Sequence, residues 1–408
     1  MAATDPENGL RDRGEPAIQK CKRCRENTAV VVVRQENLCC ECFDKYVRSK
    51  CIKRMETYRV RYPDTAPRTL LLPVSFGISS TTLLYLLCGQ LARQSSQAGR
   101  TGFSLLIVHV DETCIDSSLP PRSHLDALRS RFPDAGHYTA VGIEDIYQFR
   151  NAAREVELAA GVDEEKAHGG FDAREAVRNL LGALASPTSR TDVLAVLRTR
   201  LVVEIAKREG CEGVLWGDTT TRLAEKTLGE TAKGRGFSIP WRTADGDSPF
   251  GVKFHYPLRD LLKSELVNYV SLSLPASREP LLLLCAAYSA QPKHSAASAA
   301  SGRNITIDEL MTQYFESIET QYPSIVANVV RTAGKLQPLR GSADGGHCMI
   351  CGLPGDGAGG DMTLSALTLN AGADEGEKPR NGNKRSDMCY GCARSTYGAA
   401  SYDWPLEP

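Results

Sequence analysis

Four pairs of cysteines with the spacing C-x2-C constrain this chain more than any other feature of its sequence. Two pairs lie near the N-terminus and two lie near the C-terminus. A tetrahedral zinc ion binds four thiolates at about 2.3 Å, and each C-x2-C turn supplies two of them. The sequence therefore predicts two structural zinc sites, one at each end. Their predicted ligands are Cys21, Cys24, Cys39 and Cys42 in the first site, and Cys348, Cys351, Cys389 and Cys392 in the second.

Two features of these sites stay open at the level of sequence. Cys40 adjoins Cys39, so the CCEC stretch has more than one register, although only Cys39 keeps the x2 spacing. An iron–sulfur cluster also uses four thiolates and is the alternative to zinc. His347 stands directly before Cys348 and is interpreted as a bystander beside four better ligands.

The stretch between the two C-terminal pairs is long and rich in Gly, Asp and Asn. A segment of this composition cannot form a core, and we predict a disordered insertion over residues 353–387. Because the entropy of loop closure grows slowly with length, such an insertion is compatible with a metal site. The second site is therefore predicted to be a split zinc finger.

The composition narrows the class of protein. No apolar run approaches the roughly 20 residues that a membrane span needs, and the polar start lacks the apolar core of a secretory signal. We therefore expect a cytoplasmic protein without a membrane partner. Fourteen cysteines in such a chain indicate metal or redox chemistry rather than a framework of disulfides.

Between the cysteine pairs, apolar runs typical of strands alternate with helical patterns. This alternation predicts an α/β fold with a mostly parallel sheet and helices on both faces. Two polar turns, Ser75–Ser80 and Gly217–Thr221, follow predicted strands directly. In open sheets of this class, ligands bind beyond the carboxyl ends of the strands. The two turns are therefore the candidate nucleotide site.

The order of these features resembles the pyrophosphatase-loop ATPases that thiolate tRNA. A C-x2-C…C-x2-C finger leads into a strand–SxGxxS–helix turn, an α/β domain, a GDTTTRLAEKTL element and a final split finger. The likeness covers nearly the whole chain, from about Cys21 to about Ser395. It implies a Rossmann-like parallel sheet of the adenine nucleotide alpha hydrolase type, flanked by N- and C-terminal zinc-ribbon elements.

The chain departs from the catalytic members of that family at three places. Their SGGxDS loop reads SFGISS here, from Ser75, and their GHNxDDxAET element reads GDTTTRLAEKT, from Gly217. The region where they carry a C-x-x-C reads Ser186-Pro-Thr-Ser189. The resemblance assigns the remaining nucleotide contacts to Ser75, Gly77, Ser79, Ser80, Gly217 and Asp218.

These departures predict a degenerate site. Phe76 stands where glycine would tolerate positive φ, acidic ligands for magnesium are missing, and no thiol pair can relay sulfur. No catalytic residue is predicted, and ATP binding is expected to be impaired. Residual nucleotide binding at the N-terminus of the helix after Ser79 stays open as an alternative.

Basic residues are concentrated near the N-terminus. The whole chain has 49 basic and 49 acidic residues, yet residues 20–61 contain twelve Lys or Arg against five Asp or Glu. Such a local excess predicts a face that binds a polyanion, with a solvated basic surface as the alternative. Since the resemblance implies tRNA as that polyanion, the predicted contacts are Arg48, Lys50, Lys53, Arg54, Arg59 and Arg61.

The resemblance, together with the three departures from it, implies a non-catalytic subunit of the cytoplasmic tRNA thiolation complex. The resemblance implies that it forms a heterodimer with a catalytic paralogue and binds tRNA, so that wobble uridine 34 is 2-thiolated. Sulfur would reach the partner from a ubiquitin-related carrier. The alternatives are an independently active ATP-dependent tRNA sulfurtransferase or adenylyltransferase, and a structural zinc scaffold without direct RNA contact.

The predicted domain organisation follows the same features. It comprises a disordered tail (1–18), a zinc finger with a basic segment (19–62), a degenerate pyrophosphatase-loop α/β domain (66–275), a linker or insertion (286–304), a helical segment (305–340) and the split zinc finger (341–398).

Overall fold

The computed structural model describes residues 19–60, 68–149, 172–272, 305–338, 347–354, 388–397 and 404–405. The chain divides into two compact units, Met1–Val47 and Arg48–Pro408. The predicted tail (1–18), the predicted linker (286–304), Arg61 and all but the first two residues of the predicted insertion lie outside the described residues.

The described strands and helices alternate along the middle of the chain. The strands are β1 (Val31–Val33), β2 (Glu36–Leu38), β3 (Arg68–Pro73), β4 (Phe103–Asp111), β5 (His137–Gly142), β6 (Gly213–Leu215), β7 (Gly246–Asp247) and β8 (Lys253–His255). The α-helices are α1 (Cys40–Arg54), α2 (Ile78–Ala98), α3 (His124–Arg131), α4 (Ala173–Gly182), α5 (Pro187–Arg208), α6 (Thr220–Ala232), α7 (Ile239–Thr243), α8 (Lys263–Ser271), α9 (Ile307–Gln321), α10 (Pro323–Ala333) and α11 (Tyr390–Ser395).

In the first unit, β1 and β2 form an antiparallel hairpin. Val31 lies opposite Leu38, and the two turn residues Arg34 and Gln35 both have positive φ, 45° and 72°. Two consecutive residues with positive φ are typical of the tight turn that matches the twist of a hairpin. The hairpin therefore brings the chain back so that its second cysteine pair faces the first.

The second unit contains a six-stranded sheet with the order β5-β4-β3-β6-β8-β7. Every pair is parallel except β7–β8. The central strand β3 reads RTLLLP, and its three leucines are fully buried, as expected for a parallel strand covered on both faces. The predicted α/β class with a mostly parallel sheet is confirmed.

The strand order reverses direction at β3. From β3 the chain continues to β4 and β5 on one side, and it later returns to β6 on the other side. Such a switch point leaves a crevice between the carboxyl ends of the two strands at which the order changes. The turns after β3 and β6, both predicted as site elements, therefore lie next to each other.

Helices α9 and α10 pack against α6. Helix α9 begins with a capping box, in which Thr306 accepts a hydrogen bond from the Glu309 amide at 3.1 Å and Glu309 accepts one from the Thr306 amide at 2.9 Å. Phe315 and Val326 are fully buried in this part of the molecule. Among all the described helices, none combines the length and the apolar character needed to cross a bilayer.

Candidate functional site

The N-terminal cysteine group assembles as predicted. The Sγ atoms of Cys21, Cys24, Cys39 and Cys42 all lie within 4.8 Å of one another, and those of Cys24 and Cys39 are 3.8 Å apart. A tetrahedron with metal–sulfur bonds of about 2.3 Å has edges of about 3.8 Å, so the group has the size of a site for one ion. Cys39 belongs to the group and its neighbour Cys40 does not.

Backbone amides stabilise a thiolate in this first group. Burial raises the pKa of Cys21, but hydrogen bonds from the backbone amides of Cys24, Cys39 and Arg23 lower it to about 6. A metal ion binds the thiolate form, so amides that favour thiolate also favour metal binding. The turn geometry that spaces the cysteines therefore also favours the thiolate form of Cys21.

The C-terminal group assembles equally well, although a long stretch of chain separates its halves. The Sγ atoms of Cys348, Cys351, Cys389 and Cys392 lie within 4.8 Å of one another, and those of Cys351 and Cys389 are 4.0 Å apart. The Cys389 amide donates a hydrogen bond to Cys348 Sγ at 3.3 Å. The two halves therefore contact each other directly, and both groups could hold a metal ion.

The second group lies inside the main hydrophobic core rather than beside it. Cys348, Cys351 and Cys392 belong to one cluster with Leu197 and Leu201 of α5. Each of these three cysteines is at most 3% exposed. A metal tetrathiolate carries net negative charge, and burying such a charge is costly unless nearby cations compensate for it.

Three arginines supply that compensation. Arg235 Nη1 lies 4.0 Å from Cys392 Sγ. The guanidinium of Arg200 lies against Gly352, the residue after Cys351, so closely that a Cβ atom on Gly352 would collide with it. Burial holds the pKa of Arg200 below its usual range, and the negative charges of Glu204 and of the Cys351 and Cys348 thiolates offset this only in part. The third is Arg242, which is half-buried. Burial lowers its pKa, but the negative charges of Glu230 and Cys351 help to hold that pKa above the usual range.

Arg235 also connects the second cysteine group to the α/β domain. It is fully buried, and it donates hydrogen bonds to Asp192 at 2.7 Å and to Glu230 at 2.8 Å. Ser395 of α11 donates to the same Asp192 at 2.6 Å. Gly391 permits this approach, because a Cβ atom there would lie 2.7 Å from the carbonyl oxygen of Lys233. Helix α11 is thus tied to α5 through a buried ionic network.

The turn after β3 contains a non-glycine residue in an unusual backbone conformation. Phe76 has φ 58°, in the left-handed region that favours glycine. Its ring is 1% exposed and lies 4.7 Å from the ring of His109 and 5.6 Å from that of His124. Phe76 thus adopts the positive φ that glycine tolerates, and burial of its ring offsets a backbone cost of about 1–3 kcal/mol.

The serines of this turn bond to each other. Ser80 Oγ accepts a hydrogen bond from the Ser75 amide at 3.3 Å and donates one to the Gly77 carbonyl at 3.2 Å. The two hydroxyl oxygens of Ser75 and Ser80 are also 3.3 Å apart. Ser79 lies in the first turn of α2, whose N-cap residue Gly77 offers no side chain to that turn.

The turn after β6 approaches the same point. A Cβ atom on Gly217 would lie 3.2 Å from the Cα atom of Ser80, so only glycine allows this separation without a shift of the backbone. The next residue, Asp218, forms an ion pair with Lys226 of α6. The structure thus brings together the two turns that carry all six residues assigned to the nucleotide site, with the carboxylate of Asp218 already paired.

Carboxylates at the end of β4 are paired as well. Asp111 accepts a hydrogen bond from Arg122 at 3.1 Å, and Glu112 accepts one from Arg198 at 2.8 Å. Burial raises the pKa of Asp111, but hydrogen bonds from Thr113 and Arg122 hold it below its usual range. Such carboxylates already have cations as partners, so they are poor candidates for binding magnesium.

The predicted tRNA contacts are placed on α1 and just after it. Arg48 stacks on the Tyr85 ring at 5.5 Å, and Arg54 donates to both oxygens of Asp260, at 2.7 and 2.9 Å. Arg59 pairs with Glu56 at 3.2 Å. Lys53 is exposed and Lys50 is half-buried. Arg48 and Arg54 therefore have structural partners that the charge count did not predict.

Sequence reasoning missed a second set of basic residues beside the C-terminal cysteine group. Arg200 and Lys207 are seven residues apart on α5, which is two helical turns, so both lie on one face. Both border a cleft that His347 and Gly352 also line. The sequence contains a signal for this set, namely two cations spaced seven residues apart on one predicted helix.

Several curated proteins similar to this chain carry the same description. A family model described as cytoplasmic tRNA 2-thiolation protein 2 matches residues 306–394. Relatives of that name are 45% identical in Phaeosphaeria nodorum, over 92% of this chain and 94% of the relative, and 41% identical in Pyrenophora tritici-repentis, over 94% and 96%. The solved U34-tRNA thiolase NcsA of Methanococcus maripaludis, with its [4Fe-4S] cluster, matches at 17% identity over 82% of this chain and 91% of that chain, with a TM-score of 0.47.

Proposed function

The chain belongs to the cytoplasmic tRNA 2-thiolation protein 2 family, and from this premise we propose that it is a non-catalytic subunit of a cytoplasmic tRNA thiolation complex. It forms a heterodimer with a catalytic paralogue and helps to hold tRNA while wobble uridine 34 is 2-thiolated. The ubiquitin-related sulfur carrier delivers sulfur to the partner and does not react with this chain.

The observation that carries the non-catalytic role is the ion pair between Asp218 and Lys226. Asp218 stands in the turn that packs against Ser80 at the switch point of the sheet. Magnesium bound to a nucleotide needs oxygen ligands, and a lysine ammonium in contact with the carboxylate competes with the ion for it. The pairing of Asp111 and Glu112 with arginines at the neighbouring strand end supports the same reading.

We further propose that each group of four cysteines holds one zinc ion. Four thiolates form a closed, soft donor set that suits a structural zinc ion. All four Sγ atoms in each group lie within 4.8 Å of one another, which encloses the volume of a single ion. A cluster of four irons and four sulfides would need its thiolates farther apart. The metal in these sites would organise the chain and take no part in the chemistry on uridine.

The proposed contact with tRNA rests on the basic end of α1. Of the predicted set, Lys53 is the best candidate, because it is exposed and Arg54 beside it is bound to Asp260. A phosphate contact from an exposed lysine adds affinity that salt weakens. We expect Lys53→Glu to reduce tRNA affinity several-fold, whereas Arg54→Ala would act through loss of its ion pair.

The test is expression of the full chain alone and together with its catalytic paralogue. We expect a heterodimer with two zinc ions on this chain by native mass spectrometry and metal analysis, and no ATP turnover with tRNA by this chain alone. Turnover that a Ser80→Ala change abolishes would instead establish an independent enzyme. Crosslinks between tRNA and the partner, with none to this chain, would favour the scaffold alternative.

A further inference from the structure

A polar cleft of about 150 Å³ opens beside the C-terminal cysteine group. It is lined by Arg200, Lys207, Pro249, Phe250, His347 and Gly352. A water molecule in the liquid takes about 30 Å³, so the cleft holds several waters or one group of the size of a phosphate. None of these six described lining residues is acidic.

Two separate elements direct cationic or donor side chains to this cleft. Helix α5 contributes Arg200 and Lys207 from one face, and the knuckle contributes His347 from the position before Cys348. Arg200 is 5% exposed, whereas the Lys207 side chain is 42% exposed. The cleft is therefore basic both at its floor and at its mouth.

The floor of the cleft is held in place by packing. The Arg200 guanidinium lies over the Phe250 ring at 5.8 Å, and it lies so close to Gly352 that any side chain there would collide with it. Gly352 has φ 67°, and its amide donates a hydrogen bond to the Cys348 carbonyl at 2.7 Å, which closes the knuckle. A guanidinium fixed in this way adds a permanent positive charge to the floor of the cleft.

Two negative groups near the cleft oppose an anion. Glu204 accepts a hydrogen bond from Lys207 at 3.0 Å, and the cysteine group carries thiolate charge. Lys207 keeps two further N–H donors, because an ammonium has three. The thiolate charge is shared with Arg200, Arg235 and Arg242, of which only Arg200 lines the cleft. Lys207, exposed at the mouth, is therefore the main cation that an anion in the cleft would meet.

We propose that this cleft binds a phosphate group of an RNA backbone, an inference that rests on the proposed function in tRNA thiolation. Arginine and lysine are the usual partners of backbone phosphates, and such contacts position a protein on RNA without reading its sequence. The second cysteine group then has a role beyond stability, because its knuckle supplies His347 and shapes the wall against Arg200.

The test compares single alanine variants of the full chain in its complex. Lys207→Ala and His347→Ala alter exposed side chains, and Arg208→Ala removes the neighbouring cation, which pairs with Glu209 at 3.1 Å outside the cleft. We expect Lys207→Ala to weaken tRNA binding roughly three- to tenfold near 0.1 M salt, and to reduce the slope of log affinity against log salt by about one unit. Arg208→Ala should change affinity less than about twofold.

The outcomes separate the inference from its premise. Wild-type complex that fails to bind tRNA at any salt would overturn both the tRNA contact in the proposed function and the cleft. Tight binding that neither Lys207→Ala nor His347→Ala changes, in affinity or in salt slope, would overturn the cleft alone. Equal losses in Lys207→Ala and Arg208→Ala would overturn it as well, because they would indicate general charge rather than a site. Unchanged metal content in each variant serves as the control for folding.

Discussion

The two four-cysteine groups have the same ligands at the same spacing within each pair, yet they serve different parts of the molecule. The N-terminal group belongs to a small unit built on strands of three residues, with Val30 and Val32 left 47% and 65% exposed. The C-terminal group belongs to the main hydrophobic core and contacts a buried ionic network. Ligand spacing therefore indicates that a metal can bind, but the surroundings decide how much of the fold depends on it.

The largest expected effect comes from removing one ligand of the buried group. Cys392→Ser should release one metal ion and leave Arg235 and Arg200 beside a broken site in the core. Structural zinc contributes on the order of 10 kcal/mol in zinc-finger peptides, so we expect a loss of at least about 5 kcal/mol and poor soluble yield. Thermal unfolding monitored by circular dichroism, with metal analysis, checks this. A Cys392→Ser variant that loses one metal ion and keeps the wild-type Tm would show that the fold depends no more on the C-terminal group than on the N-terminal group.

The buried network should be next in the order of effects. Arg235→Met leaves Asp192 and Glu230 buried without their main partner, and breaking a buried ion pair in this way costs about 3–5 kcal/mol. Urea unfolding measures the change in free energy. Arg129→Met, at an exposed arginine of α3, is the matched control and should cost less than about 1 kcal/mol. Similar costs for the two variants would contradict the assigned role of Arg235.

The same network predicts how stability depends on acid. Burial raises the pKa of both carboxyls, but hydrogen bonds and charge from Arg235 hold that of Asp192 below its usual range, and the charges of Arg242, Arg235 and Lys233 do the same for the pKa of Glu230. A carboxyl with a lowered pKa stabilises the fold fully above its unfolded pKa of about 4, and this contribution is lost as pH falls through the folded pKa.

We therefore expect the free energy of unfolding to fall progressively below about pH 5, and Arg235→Met to reduce this dependence. Urea titrations between about pH 7 and about pH 3 measure both slopes. Because acid also displaces metal from thiolates, metal content is measured at each pH, and only the range with both ions bound is compared. Equal slopes in the two proteins would show that other carboxyls control the acid response.

A ligand change in the N-terminal group should have a smaller and more local effect. Cys24→Ser should release one metal ion and unfold residues 19–47, while the sheet of the second unit keeps its Tm. Hydrogen exchange with mass spectrometry resolves the two units. If the amides of β3 and β4 also lost their protection from exchange, the N-terminal group would stabilise the whole molecule, contrary to the local effect that we expect.

The smallest effect is expected at Cys40. Its thiol is not among the four clustered Sγ atoms, although it adjoins Cys39 in sequence. Cys40→Ser should retain both metal ions and change stability by less than about 1 kcal/mol, because the thiol is only half-buried and serine differs from cysteine by one atom. Loss of a metal ion from this variant would show that the ligands had been assigned in the wrong register.

The two four-cysteine groups could be predicted from sequence because their determinants are local. Each C-x2-C turn sets the positions of two thiols, so the only long-range requirement is that the turns meet. The parallel sheet was predictable for a related reason, since buried strands such as β3 are apolar along their length. What the pattern could not reveal was that Cys392 would lie in the main core, because that depends on Asp192 and Arg235 meeting after folding.

The remaining differences also come from contacts distant in sequence. Phe76 adopts positive φ because His109 and His124 surround its ring, and neither residue is near it in the chain. Arg54 is among the residues predicted to contact RNA, which stays a prediction, and its guanidinium donates to Asp260, 206 residues away. Charge counting identifies where cations are concentrated, but it cannot tell which of them the fold will pair internally.

The bond between Ser395 and Asp192 has a consequence for the order of folding during synthesis. Asp192 and Arg235 are both made before the last strand of the sheet, but α11 emerges from the ribosome long after β8. Until then Asp192 of α5 and Arg235 lack the helix that completes their network, and Cys348 and Cys351 lack the second half of their four-cysteine group. Domains generally fold as units as they are synthesised. The α/β domain therefore completes its core only after α11 has been made, which leaves a long interval in which a chaperone could bind it.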